Sequence, residues 1–139
     1  MSRVIKLESA GKERNQLSKG IVVALRELAE QNEVNAETRD LVAFIAIALS
    51  SIYGSIDETV SAWENRGYWL KADRFRLDWE WTGRLGSELI DAIRLEDWAS
   101  IARIAAQVAE RFNQVKVPVK HRLGKPWVGA WDRLHESFK

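Results

Sequence analysis

The chain has 139 residues, with 21 basic and 20 acidic side chains, a net charge of +1, 46% apolar residues and no cysteine. That length supports one domain, 1–139, with a core that removes about two-thirds of the unfolded surface from water. The composition excludes disulfide and thiolate chemistry, and the near-neutral balance by itself points neither toward nucleic acid nor away from it.

Prolines are scarce, at Pro118 and Pro126 only, and few runs alternate as strands do. The predicted class is therefore all-α. Residues 1–8 (MSRVIKLE) form an extended arm or a disordered start. They contain no apolar stretch of the kind that opens a secretory signal, so a cytoplasmic protein is the expectation. The first helix is predicted from about Ser9 to about Gln31, with Leu17, Ile21, Ala24 and Leu28 on one stripe.

Two long helical patterns folded back on each other between Ala36 and Leu95 organise the chain. Asn35 is a suitable cap for the first arm, and Glu37 and Asp40 set negative charge near its positive end. From Leu41 to Tyr53 the arm reads LVAFIAIALSSIY without a charge. A helix apolar all round is enclosed on several sides, and the run is shorter than the roughly 20 residues a bilayer requires. No membrane partner is expected. The chain is predicted to reverse at Asn65-Arg66-Gly67. The second arm then carries Trp69, Ala72, Arg76, Trp79, Gly83, Gly86, Ile90 and Ile93 at the spacing of a helix–helix seam. A reversal centred on Arg66 sets Gly83 opposite Leu49 and Gly86 opposite Ala46. The two glycines read as a close packing contact, or else as a kink or ligand notch. Arg76 is expected either buried against Asp57 or Glu58, or turned outward to Glu80, with Arg74 and Asp78 as a second pair.

A fourth helix begins after Asp97 and follows Trp98, Ile101, Ala105, Val108, Phe112 and Val115 until Pro118 stops it. Short junctions make neighbours antiparallel, so the predicted architecture is an up-down-up-down four-helix bundle with a long central hairpin. The remainder, 116–139, is a basic aromatic tail. Pro126 opens a short helix from Trp127 to about Ser137, carrying Trp127, Trp131, Leu134 and Phe138. Residues 36–65 hold one basic and five acidic groups, a net −4, and 116–139 hold six basic and two acidic groups, a net +4. The tail therefore has a natural partner in the acidic arm.

No enzyme signature is present. A di-iron bundle site needs Glu-x-x-His on facing helices, whereas His121 and His135 both lie in the tail. There is neither a G-x-S-x-G elbow nor a phosphate loop. No metal or cofactor is expected.

Three functions remain. The first is a non-enzymatic interaction or scaffold protein, as a homo-oligomer or a small subunit of an assembly. Trp79 and Trp81 lie two apart on one helix and so point about 200° from each other. One of them needs a second partner, and aromatic residues are enriched at interfaces. Trp79, Trp81, Trp127 and Trp131 are thus the candidate interface. The second is nucleic-acid binding by the tail, with Lys116, Lys120, Arg122 and Lys125 on phosphates and Trp127 and Trp131 stacked on bases. The third is a small-molecule binder with a tryptophan-lined pocket between the arms, near Gly83 and Gly86.

Overall fold

The structure, a computed structural model, describes residues 7–139. Among these the chain is all-helical: α1 spans Leu7–Ala29, α2 Ala36–Asn65, α3 Trp69–Arg94, α4 Trp98–Arg111 and α5 Ala130–Glu136. Most of the expected N-terminal arm, residues 1–6, lies outside the described residues, and Leu7 and Glu8 already belong to α1.

α2 is the hub. Leu41, Val42, Ala43, Phe44, Ile45 and Ala46 are all buried in succession, which a helix achieves only when covered on more than one side. α1, α3 and α5 all pack against it, while α4 leans chiefly on α3 and touches α1 slightly. By length and composition α2 is apolar enough to cross a bilayer, with a mean hydropathy of 1.5 over an 18-residue window, of which 56% is buried inside the chain. That window reaches beyond the uncharged run at 41–53. A core helix enclosed by its neighbours passes the same test.

The ends of α2 are set locally. The Asn35 side chain accepts from the Thr38 amide at 3.0 Å, and the Thr38 hydroxyl accepts from the Asn35 amide at 3.4 Å. This is a reciprocal capping box with Thr at the position Glu or Gln usually takes. At the far end the Gly67 amide donates to the Glu64 carbonyl and the Tyr68 amide to that of Trp63, both at 2.9 Å. Gly67 has φ +81°, so the pair is a Schellman closure that requires a left-handed residue. The turn from α3 to α4 repeats it, with Asp97 donating to Ala92 at 2.9 Å. Here the left-handed residue is Glu96, at φ 50°, a conformation that costs a side-chain-bearing residue about 1–2 kcal/mol. Asp97 then caps α4 through the Ser100 amide at 3.2 Å.

The hairpin register differs from the expected one by a helical turn. α2 runs on to Asn65 and the reversal centres on Gly67 and Tyr68, not on Arg66. Gly83 consequently lies beneath the ring of Tyr53, and Gly86 lies against Leu49 and Ser50. Phe75, Gly83 and Gly86 meet α2 at Trp63, Tyr53 and Leu49, while Trp81 meets Phe112 at the end of α4, and Ala72, Thr82, Leu85, Leu89 and Ile93 are buried. Two expected members of the stripe leave it. Trp69 is 60% exposed, and Arg76 points outward to Asp73 at 3.3 Å and Glu64 at 3.8 Å. The expected pairings of Arg76 with Asp57, Glu58 or Glu80, and of Arg74 with Asp78, do not form among the described residues.

α4 stops at Arg111, well before Pro118. Phe112 is its C-cap and is buried, and the poor helix former Asn113 follows. The tail then returns across the molecule. The Arg26 guanidinium donates to the Val117 carbonyl at 2.7 Å. α5 begins at Ala130, later than the expected Trp127, because Gly129 turns the chain at φ 80°. Both Asp40 carboxylate oxygens hold this corner, accepting from the Gly129 and Trp131 amides at 3.0 Å each.

Candidate functional site

The four candidate tryptophans have distinct surroundings. Trp127 is 2% exposed and Trp81 is 7% exposed, so both belong to the chain's own core and offer no free surface. Trp81 finds its second partner within the chain, meeting Phe112 edge-on at 5.1 Å with the Arg111 guanidinium 5.5 Å above it. Trp131 is half-buried and stacks on Trp98 at 6.3 Å with His135 at 4.4 Å. Trp79 is half-buried beside Phe75, whose ring also meets Trp63 edge-on at 5.0 Å.

In the tail, Lys116, Lys120, Arg122 and Lys125 are all exposed. The Lys116 ammonium donates to the Asn113 carbonyl at 3.3 Å. The structure does not bring these cations together with stacking rings, because Trp127 and Trp131 face inward, against the core and Trp98. The histidines are occupied by backbone: His121 Nδ1 accepts from the Leu123 amide at 3.2 Å, and His135 Nδ1 lies 2.8 Å from the Trp131 carbonyl. Among the described residues no group of three or more His, Asp or Glu side chains converges as a metal site would.

The expected notch at Gly83 and Gly86 is filled by Tyr53 and Leu49. A cavity of about 520 Å³ opens instead on the other flank of α3, between α1 and the end of α4. Phe75, Trp79, Trp81 and Phe112 form its apolar wall, and Arg14, Ser18 and Arg111 its polar one.

Arg14 is unusual in its burial, at 8% exposed. A fully buried arginine ordinarily has a carboxylate partner. Among the described residues Arg14 has none: one terminal nitrogen donates to Thr59 Oγ1 at 3.0 Å and Ser55 Oγ at 3.4 Å. Its guanidinium lies 4.8 Å from the Phe75 ring. Burial lowers its pKa from the ordinary arginine value, although a guanidinium remains protonated in proteins. Ser18, one turn along α1, has a buried hydroxyl without a partner among the described residues. In the sequence Arg14 is one of several charges of mixed sign on α1. Its signal was slight, a charged residue on the same side of α1 as Ser18 and Ile21.

A second feature is on the outer face of α3. Leu70 is 73% exposed and Leu77 68%, beside Tyr68 at 55% and Trp69 at 60%. Gly67, Tyr68, Trp69 and Leu70 also line a shallow groove at the hairpin tip. Compared with known proteins, the chain matches no family model, and no curated protein or solved structure resembles it at a significant level.

Proposed function

We propose that this chain is a non-enzymatic helical protein that works by association, and that its partner is a second copy of itself. The observation that carries this reading is the pair of exposed leucines on α3. Leu70 and Leu77 are one heptad apart and so share a face. In an antiparallel α3–α3 pair with its two-fold axis between Asp73 and Arg74, Leu70 of one copy meets Leu77 of the other. The same axis sets Asp73 opposite Arg74. A two-fold interface needs such a self-complementary patch, and Tyr68 and Trp69 extend it toward the hairpin tip.

The packing is read as an up-down-up-down four-helix bundle with the basic tail folded back on it. The short reversals at Arg66–Tyr68 and Leu95–Asp97 support that topology. Such an arrangement leaves the outer face of α3 unopposed within one chain.

Absolute mass by light scattering tests the reading. The expected result is a dimer at micromolar concentration. Leu70→Glu combined with Leu77→Glu should yield a monomer of unchanged helicity, with dissociation strengthened at least about a thousandfold, because each buried leucine contributes about 2 kcal/mol. A wild-type chain that stays monomeric at high micromolar concentration overturns it.

A further inference from the structure

Arg14 is set into the core wall with hydroxyl partners only, and the cavity it lines has aromatic sides. From the buried guanidinium, the unpartnered Ser18 hydroxyl and the rings of Phe75 and Trp79 around one opening, we infer that the cavity between α1, α3 and the end of α4 is a binding site for a small aromatic carboxylate. The inference does not rest on self-association: a chain that stays monomeric keeps this cavity, whose lining includes neither Leu70 nor Leu77.

The chemistry follows from what the wall offers. A guanidinium presents five N–H donors in a planar fork, suited to a bidentate carboxylate. Thr59 and Ser55 engage one terminal nitrogen of Arg14, which leaves donors for a ligand. The other terminal nitrogen faces Gly11, where an added Cβ would lie 3.7 Å away. A carboxylate would therefore meet a cation already removed from water, where the charged hydrogen bond gains strength. Arg111 adds a positive charge and Asp78 a negative one, both on exposed residues, so with Arg14 the lining carries a net positive charge. The ring of the ligand would lie against Trp79 and Phe75. A ligand that is aromatic but neutral leaves the guanidinium without its anion. A bare inorganic anion leaves the rings uncovered. The volume, about 520 Å³, falls in the range of small-molecule sites.

Benzoate is the probe, with benzyl alcohol as its neutral counterpart. Indole N–H resonances of Trp79 and Trp81 are followed in the full-length protein. Benzoate should shift them saturably with a dissociation constant of about 1 mM, as befits so small a ligand. Benzyl alcohol should bind at least about tenfold more weakly. Arg14→Met keeps an unbranched stem, shorter than that of arginine, and removes the charge without filling the cavity. It should weaken benzoate at least tenfold, by roughly the contribution of a charge-assisted hydrogen bond, while leaving benzyl alcohol unaffected. Should that variant fail to fold, Arg14→Lys serves instead, keeping the charge but losing the fork, and should weaken benzoate severalfold. Non-saturable shifts, equal binding of the two probes, or benzoate binding unchanged in the folded Arg14 variant would each overturn the inference.

Discussion

Asp40→Ala should release the C-terminal segment from α2 and lower stability by about 3–5 kcal/mol. The carboxylate accepts from the Gly129 and Trp131 amides, one on each oxygen. Hydrogen bonds to a charged group contribute about 1.5–3 kcal/mol each, and the amides left behind are partly sheltered from water. The rest of the docking is apolar: Trp127, Ala130 and Leu134 are buried, and Trp131 stacks on Trp98. That surface holds only while the corner before α5 is fixed. Asp40→Asn should cost about half as much, since an amide has one accepting oxygen and its NH₂ meets the second N–H as donor to donor. Urea unfolding reads the stability, and the Trp131 indole resonance reads the loss of stacking. A loss under about 1 kcal/mol for the alanine variant would mean that the apolar contacts hold the segment without the carboxylate.

The hairpin seam yields the second large effect. A Cβ on Gly86 would come within 3.2 Å of Leu49 Cβ, an atom tied directly to the backbone of α2. Gly86→Leu should therefore push α2 and α3 apart, destabilising by about 3 kcal/mol, at the upper end for overpacking. Gly83 behaves differently. A Cβ there would sit 2.6–2.8 Å from three carbons of the Tyr53 ring, but Tyr53 is 45% exposed and can swing outward. Gly83→Ala should be mildly destabilising, because about 1 kcal/mol of helix propensity partly offsets the displaced ring. In a Tyr53→Ala background the same substitution should be stabilising by about 1 kcal/mol. Chemical denaturation of the four proteins in that cycle supplies the check. If Gly83→Ala has one effect in both backgrounds, the ring does not govern the site.

Much of the architecture is legible in the residues. The uncharged run at 41–53 marks α2 as the enclosed helix, and the caps at Asn35 and Asp97 follow from side chains that can accept from a first-turn amide. The close approach at the two glycines is legible as well. Their partners are not, because hairpin register depends on how many residues the turn consumes. A Schellman closure at Gly67 moves the pivot by nearly two residues and so every pairing by twice that, about a turn. Trp81 illustrates a second limit. Its need for another partner follows from helix geometry, but Phe112 supplies it from a distant part of the chain, which periodicity does not reveal. Arg14 is harder still. In sequence it is one charge among the many of α1, and its burial follows from Phe75 and Thr59, which only the packed hairpin brings beside it. The tail's inward tryptophans have the same origin, in an Asp40 that sequence reading valued for its charge at a helix start.

α4 leans on α3 and has little hold on the other helices, yet its end carries Arg111 and Phe112, two walls of the cavity. Elements with few neighbours open at a lower free-energy cost than the molecule as a whole. Part of the cavity wall therefore rests on a helix that is held chiefly by α3, so the chamber keeps its shape only while the α3–α4 packing does.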